Sequence, residues 1–306
     1  MINMKNIGKN VIDLIGNTPM VRINNLNPNP NTVIYAKLEG NNPGGSIKDR
    51  IALKMIEQAE LEGTLTKKKT IIEASSGNTG ISLAMIGVVK GYDVEIVMSE
   101  AVSIERRKMI ACFGGKIILT PGEKGTDGAI MKVKELREKY PDKYFCTDQF
   151  TNHYNKIAHY ETTACEILEQ MSGKIDYFVS AIGTSGTIMG VGKHLKEYNP
   201  NVKIVCAHPV EGHYIQGLKN MEEAIVPSIY DPSQIDIEVM VETNDAFEMT
   251  RQLVKKEGIF AGMSSGAAML AAAESAKNAK SGVIVVIFPD RGDRYLSTDL
   301  FDLKKI

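Results

Sequence analysis

Residues 41–50 read Asn-Asn-Pro-Gly-Gly-Ser-Ile-Lys-Asp-Arg, and they carry the clearest structural signal in the chain. A Pro-Gly-Gly turn leads directly into a segment in which apolar residues recur every three or four positions. The apolar positions of this segment are Ile47, Ile51, Ala52, Met55, Ile56 and Ala59. The spacing predicts a helix with one buried stripe, and it puts Lys48 on the first helical turn beside that stripe.

Lys48 has the setting of a reactive amine. A positive charge near the N-terminus of a helix opposes the helix dipole, and partial burial disfavours the ammonium form. Both effects are expected to lower the pKa of Lys48 and to leave its amine able to form a Schiff base. The alternative is that Lys48 is a solvated surface lysine, as most lysines are.

The composition of the chain excludes several classes of protein. The 306 residues include 36 Lys and Arg against 37 Asp and Glu, a formal net charge of -1. There is no excess of positive charge for binding nucleic acid or an anionic membrane, so the expected partner is a small molecule. A chain of this length usually forms more than one core, which favours two α/β domains.

The cysteines and the apolar runs are typical of a cytoplasmic protein. The four cysteines are widely spaced, and neither they nor the five histidines form a metal-binding pattern, so reduced thiols and no metal are expected. The first ten residues lack an apolar signal core, and the longest apolar runs, such as Val283 to Phe288, are strand-sized. We therefore expect a cytoplasmic protein without a membrane span.

Short apolar runs alternate with longer helical patterns along the chain, which is typical of βαβ units. The predicted strands are 70–74, 93–98, 116–119, 175–181, 203–207 and 283–288. The predicted helices are 81–89, 103–113, 128–139, 188–197, 245–257 and one that begins after Gly266. This order predicts an α/β protein with two doubly wound domains and mainly parallel sheets.

Three loops are rich in Gly, Ser, Thr and Asn, and the ligands of open parallel sheets bind at such loops. Residues 75–80 and 183–187 each offer hydroxyls and backbone N–H groups at a helix N-terminus, which suits a carboxylate or a phosphate. The alternative is that each is only a tight turn. Residues 262–266 put two serines at the start of an alanine-rich helix, where capping is the alternative to binding. The chain has no dinucleotide or P-loop fingerprint, which disfavours NAD and ATP.

A reactive lysine, two anion-type loops and a polar serine together meet the needs of pyridoxal 5'-phosphate. This cofactor takes an imine-forming amine, a phosphate cradle and a group at its pyridine nitrogen. Five motifs resemble, in order and spacing, the cysteine synthase (O-acetylserine sulfhydrylase) family of fold type II pyridoxal phosphate enzymes, and they lie at 41–50, 75–80, 103–107, 183–187 and 262–267. The resemblance extends from Gly16 to Ser297, which is nearly the whole chain.

The resemblance implies a tryptophan synthase β-like architecture and a role for each motif. It implies a smaller mobile domain of residues 39–144 and a larger domain of residues 1–38 and 145–306. Lys48 would hold the cofactor and move the Cα proton of the substrate, Asn78 would bond to the ring oxygen, and Ser264 would face the pyridine nitrogen. The phosphate would be held by Gly183, Thr184, Ser185, Gly186 and Thr187. The substrate α-carboxylate would be bound by Ser75, Ser76, Gly77, Thr79 and Gln149.

The implied reaction is a β-replacement through an α-aminoacrylate intermediate. O-acetylserine and sulfide would give cysteine and acetate, although the residues leave the first substrate and the sulfur donor open. The resemblance also implies a homodimer, and docking of the C-terminal tail of serine acetyltransferase in the active site. The alternatives of another class are a serine/threonine dehydratase, which has the same fold, and a binding module without activity.

Some positions depart from the commonest pattern of the family. Ser75 stands where threonine is usual, and residues 189–194 are more similar to the B-type synthases. Residues 217–236 lack the glycine-rich run of the A-type enzymes and contain Asp231 before Pro232. Asp231 is either a turn residue or a base that activates water. In the second case the enzyme would release hydrogen sulfide from cysteine, with water as the second reactant to give serine, or with a thiol in place of water.

Overall fold

The protein is described here by a computed structural model that covers residues 7–223 and 225–302. The chain divides into two compact units. The smaller unit contains residues 7–17 and Asn41–Asp148, and the larger unit contains Thr18–Gly40 and the described residues from Gln149 onward. The predicted boundaries differ from this division, because residues 7–17 and 145–148 belong to the smaller unit and residues 39–40 belong to the larger one. Ile12 packs in its core, Gly16 N–H donates to Asn42 Oδ1 (2.8 Å), and residues 144–146 pair with its sheet.

The strands of the described chain, in order, are β1 (Met20–Ile23), β2 (Thr32–Leu38), β3 (Thr70–Ala74), β4 (Val94–Ser99), β5 (Lys116–Thr120), β6 (Tyr144–Cys146), β7 (Tyr177–Ala181), β8 (Lys203–Pro209), β9 (Ile237–Val241) and β10 (Gly282–Phe288). The α-helices are α1 (Lys48–Leu61), α2 (Asn78–Lys90), α3 (Ile104–Cys112), α4 (Gly125–Lys139), α5 (Tyr154–Ala158), α6 (Ala164–Gln170), α7 (Gly186–Tyr198), α8 (Thr243–Glu257) and α9 (Met263–Asn278). A π-helical turn, His159–Thr163, joins α5 to α6.

The smaller unit is built on a four-stranded parallel sheet of order β5-β4-β3-β6. Every residue of β3 and β4 is buried, which is typical of parallel strands that have helices on both faces. The predicted stripe of α1, from Ile47 to Ala59, is buried as well. Helix α2 ends where the sequence predicts, at Gly91, whose φ of 70° is readily adopted by glycine.

The larger unit has a six-stranded sheet of order β1-β2-β10-β7-β8-β9, in which only the β1–β2 pair is antiparallel. Its core lies between this sheet and α9, whose small buried side chains let the helix approach the strands closely. The side chains of α9 in this core include Ala267, Ala268, Ala271, Ala272 and Ala276. The predicted fold class, two α/β units with mainly parallel sheets, is confirmed.

Some elements escaped prediction for physical reasons. Strand β9 lies at a sheet edge and exposes Ile237, Glu238 and Met240, so its residues do not form a continuous buried run. The helical segment 154–170 is interrupted by the π-helical turn, which breaks the 3.6-residue period. Helices α2, α7 and α9 begin inside the predicted loops, at Asn78, Gly186 and Met263.

The described residues contain neither a membrane-spanning helix nor a metal-binding cluster. No helix there is long and apolar enough to cross a membrane. No group of three or more His, Cys, Asp or Glu side chains there is arranged to hold a metal ion.

Lys37 in β2 is 0% exposed and stabilises the larger unit through charge pairing. Its Nζ donates to Glu166 Oε2 (2.7 Å), Gln170 Oε1 (2.9 Å) and the Thr18 carbonyl (2.8 Å). We expect Lys37→Met to lower the free energy of unfolding by about 3–5 kcal/mol, because it leaves a carboxylate without its buried partner. Urea denaturation measures this change.

The matched control for Lys37→Met is the double variant Lys37→Met/Glu166→Leu, which removes both charges. It should recover part of the lost stability. An unfolding free energy of Lys37→Met within about 0.5 kcal/mol of the unsubstituted protein would contradict this account of the pair.

Candidate active site

Lys48 is the first residue of α1 in the smaller unit and is half-buried. The turn before it is closed by a hydrogen bond from Gly45 N–H to the Asn42 carbonyl (2.7 Å), and Gly45 has a φ of 79°. The backbone N–H of Lys48 donates to Ser46 Oγ (3.3 Å). The predicted helical start is therefore confirmed, with a left-handed glycine that the turn requires.

Asp49 anchors this turn, a role that was not predicted from the sequence. Its buried carboxylate accepts hydrogen bonds from Gly44 N–H (2.6 Å) and from the Ser82 hydroxyl of α2. A Cβ atom on Gly44 would overlap the Asp49 carboxylate, so this close approach needs glycine. The sequence signal that could have pointed to Asp49 is its place as an acidic residue on the first turn of a predicted helix.

Residues 75–80 lie at the carboxyl end of β3 in the same unit. Ser75 Oγ accepts hydrogen bonds from Gly77 N–H (3.0 Å) and Gly80 N–H (3.1 Å), so it fixes the start of α2. Ser75 and Thr79 are buried, whereas Ser76 and Asn78 are half-buried. The hydroxyl of Ser75 thus already holds the loop, in addition to any role towards a ligand.

Gln149 begins the second segment of the larger unit, immediately after Asp148, which has a φ of 51°. It is buried, and its carbonyl accepts a hydrogen bond from Asn155 Nδ2 (2.7 Å). The residues predicted to bind a carboxylate therefore come from both units. Ser75, Ser76, Gly77 and Thr79 belong to the smaller unit, and Gln149 belongs to the larger one.

Residues 183–187 join β7 to α7 in the larger unit. Ser185 is 3% exposed, with a φ of 66°, and its hydroxyl has no hydrogen-bond partner in the described part of the chain. It does not cap α7, although it is the residue that precedes the helix. A buried hydroxyl and backbone N–H groups at a helix N-terminus make this loop suited to an anion.

Two glycines of this loop are required by close packing. A Cβ atom on Gly183 would overlap the Gly217 carbonyl, and one on Gly186 would overlap the Asn155 side-chain oxygen. Asn155 is fully buried, and its Nδ2 also donates to Thr184 Oγ1 (3.0 Å). Asn155 therefore holds the loop by contacts that the sequence did not reveal.

Thr187, the last residue of the loop, contacts a buried histidine. Its Oγ1 lies 3.2 Å from His159 Nε2, and His159 Nδ1 lies 2.9 Å from Thr163 Oγ1. Both partners belong to the π-helical turn, and such turns occur often at functional sites. The histidines were weighed only as metal ligands on the sequence, so this contact of His159 was not predicted.

Ser264 lies in the first turn of α9 and is buried. Within the described chain the buried hydroxyl of Ser265 has no hydrogen-bond partner. The N-cap of α9 is Gly262, so neither serine caps this helix. Gly262 N–H donates to the carbonyl of Asp290, whose carboxylate accepts from the Tyr295 hydroxyl (2.7 Å).

The segment 215–219 forms hydrogen bonds beside both candidate loops of the larger unit, residues 183–187 and residues 262–266. Lys219 N–H donates to the Ile182 carbonyl (3.0 Å), next to residues 183–187, and Gln216 N–H lies 3.3 Å from the sulfur of Met263. The N-terminal ends of α7 and α9 therefore lie at the same edge of the six-stranded sheet. This edge is formed by the carboxyl ends of its parallel strands.

Asp231 is the N-cap of a short 3₁₀ turn, Pro232–Gln234. Its carboxylate accepts from Gln234 Nε2 (2.8 Å), the Ser233 hydroxyl (2.6 Å) and Ser233 N–H (3.1 Å). The bonds from Gln234 and Ser233 hold the pKa of the Asp231 carboxyl below its ordinary value. A carboxylate stabilised in this way is a weaker base.

Comparison with known proteins identifies the chain. The family model described as pyridoxal-phosphate dependent enzyme matches residues 11–290. A cysteine synthase of Aquifex aeolicus is 49% identical over 302 residues, which cover 96% of this chain and 92% of that protein. The chain belongs to the cysteine synthase family of pyridoxal-phosphate-dependent enzymes. Cysteine synthase B of Pseudomonas aeruginosa is 43% identical and covers 95% of this chain and 97% of its own length.

Solved structures of this family have the same fold. A hydrogen sulfide-producing enzyme from Fusobacterium nucleatum is 47% identical with a TM-score of 0.90, and covers 95% of this chain and 100% of its own. A cysteine synthase from Entamoeba histolytica is 42% identical with a TM-score of 0.91, and covers 99% of this chain and 92% of its own.

We expect Asn155→Ala to weaken the binding of pyridoxal phosphate about tenfold, because Thr184 and the Gln149 carbonyl lose a buried donor. Titration of the cofactor-free protein with pyridoxal phosphate, followed by absorbance, measures the dissociation constant. The matched control is Asn201→Ala, which changes an exposed asparagine of the same unit. Equal affinities in the two variants would contradict the role given to Asn155.

Proposed function

We propose that the protein is a cysteine synthase, which replaces the β-substituent of an O-acetylserine-type amino acid with sulfide. The observation that carries the proposal is the match to relatives named cysteine synthase at 42–49% identity over nearly the whole chain. The substrates are a small amino acid and a sulfur nucleophile. Bound pyridoxal phosphate supplies an electron sink, through which the substrate can lose its Cα proton and its β-substituent.

The residues of the protein fit this cofactor. The unpartnered hydroxyl of Ser185 and the N–H groups that open α7 suit its phosphate, which we assign to Gly183, Thr184, Ser185, Gly186 and Thr187. Ser264 is buried in the first turn of α9, and its hydroxyl suits a pyridine nitrogen. Lys48 supplies the amine, and Asn78, half-buried at the start of α2, supplies an amide for the ring oxygen.

The properties of Ser264 and Lys48 favour loss of the β-substituent. A neutral hydroxyl at the pyridine nitrogen does not force protonation of the ring, which favours elimination over reactions that need a stronger electron sink. The amine of Lys48 would hold the cofactor and would remove the Cα proton of the substrate as general base. The turn held by Asp49 keeps Lys48 at the first position of its helix.

We assign the substrate carboxylate to the N-terminal end of α2. The half-buried side chain of Ser76 and the amides at the start of this helix suit an anion, together with Gly77, Thr79 and Gln149. Ser75 shapes this loop as the acceptor for Gly77 and Gly80, and its hydroxyl proton stays available to donate.

A product assay tests the proposal. The purified protein should form cysteine from O-acetylserine and sulfide, and Lys48→Ala should lower the rate about 10³-fold, because the general base is lost. Lys54→Ala, on the same helix, is the matched control and should keep the rate. Cysteine formation by Lys48→Ala at the unsubstituted rate would contradict the role of Lys48, and no cysteine from the unsubstituted protein would refute the function.

Hydrogen sulfide release is the second candidate function. It is supported by the structural neighbour from Fusobacterium nucleatum, which is named a hydrogen sulfide-producing enzyme. In this reaction cysteine would lose its thiol as sulfide, and water would add to give serine. We assign Asp231 the turn-capping role here, because its carboxylate is already occupied by Ser233 and Gln234.

Incubation with cysteine alone tests this second function. We expect sulfide and serine in equal amounts, and we expect Asp231→Asn to keep the rate within about threefold, since asparagine also caps turns. Loss of sulfide release in Asp231→Asn, with cysteine synthesis intact, would instead make Asp231 the water-activating base. Absence of both products in the unsubstituted protein would remove the second function.

The remaining assignments follow from the family. We propose a homodimer, a cytoplasmic location, and binding of the C-terminal tail of a serine acetyltransferase. Light scattering and a peptide competition assay against O-acetylserine measure the oligomeric state and the tail binding.

A further inference from the structure

Arg106 is a buried residue beside the loop of residues 75–80. It lies in α3, is 1% exposed, and its guanidinium Nη1 donates to the Ser76 carbonyl (3.2 Å). Both residues belong to the smaller unit. An arginine is rarely buried without specific polar partners, and one partner of Arg106 is the backbone of this loop.

Gly77 provides the space that the Arg106 side chain occupies. A Cβ atom on Gly77 would lie 3.0 Å from Cβ and from Cγ of Arg106, and closer still to Cδ. Gly77 also has a φ of 129°, which side chains rarely allow. The aliphatic part of Arg106 therefore packs directly on the backbone of Gly77.

The peptide between Ser76 and Gly77 is held on both sides. Its carbonyl accepts from Arg106, and its N–H, which points the opposite way in a trans peptide, donates to Ser75 Oγ (3.0 Å). Ser75 also accepts from Gly80, so the clamp continues into the first turn of α2. These bonds fix the orientation of the peptide on which the position of Ser76 depends.

We propose that Arg106 is a positioning residue for the substrate α-carboxylate. Arg106 holds the Ser76–Gly77 peptide so that Ser76 and the N-terminal amides of α2 are preorganised to receive an anion. The inference rests on the proposed function, in which this loop binds the carboxylate. Arg106 is the fourth residue of the Ser-Ile-Glu-Arg-Arg motif at 103–107, and the proposal gives this motif a role at the carboxylate loop.

Substitution of Arg106 separates positioning from a general structural role. In Arg106→Met we expect the KM for O-acetylserine to rise about tenfold, because a charged hydrogen bond to the loop is lost. The kcat should change less than about threefold, since Lys48 and the cofactor residues are untouched. Arg106→Lys keeps the charge and one donor, and should recover part of the KM.

A binding measurement supports the kinetics and does not depend on turnover. L-alanine has no leaving group, and its binding is followed by the absorbance change of the bound cofactor. Its dissociation constant should rise about tenfold in Arg106→Met and less in Arg106→Lys. The matched control is Arg107→Met, one position further along α3, whose guanidinium Nη2 donates to the Glu100 carbonyl instead. Arg107→Met should leave the KM for O-acetylserine and the dissociation constant of L-alanine unchanged.

The outcomes are distinguishable. A KM and an L-alanine affinity that are unchanged in Arg106→Met, in a protein that makes cysteine, would overturn the role of Arg106 alone. Equal changes in Arg106→Met and Arg107→Met would overturn it too. If Arg106→Met does not fold, an unchanged L-alanine affinity in Arg106→Lys overturns the proposal. An unsubstituted protein that makes no cysteine would refute both the inference and the function on which it rests.

Discussion

The buried carboxylate of Asp49 is the constraint on which the proposed position of Lys48 in the smaller unit depends. It binds the Gly44 N–H and the Ser82 hydroxyl at once, and so it fixes the glycine turn before Lys48 to the neighbouring helix α2. An acceptor with two buried donors is costly to remove, because both donors would then lack a partner. Lys48 owes its place at the first position of α1 to this arrangement.

A similar arrangement recurs in the other loops, where a buried polar side chain binds or packs on a glycine of the loop. Ser75 holds the N–H groups of Gly77 and Gly80, and Asn155 packs on Gly186 while it donates to Thr184. Rigid loops of this kind leave helix N-terminal N–H groups for a ligand without further reorganisation. The residues of the proposed site are thus held by local anchors within each unit, and the loops that would hold the cofactor are fixed by these anchors.

Much of the fold could be predicted from the sequence, because the central strands are continuous apolar runs and α1 has a regular stripe. Edge strand β9 and the π-helical turn at His159 could not, since their patterns depend on what lies next to them. The anchors Asp49, Asn155 and Arg106 were not predicted for a related reason. Each acts on backbone through a geometry that spacing does not encode, and Asn155 and Arg106 reach partners about 30 residues away in the chain. The loops themselves were found, because runs of glycine and hydroxyl residues are visible without knowing their neighbours.

The central claim is that the amine of Lys48 carries the cofactor. Borohydride reduction of the cofactor-loaded protein, followed by mass spectrometry of its peptides, tests this claim most directly. The account predicts a pyridoxyl group on Lys48 in the peptide that contains Asp49. A reduced protein with no pyridoxyl group on Lys48, or with the group on another lysine, would contradict it.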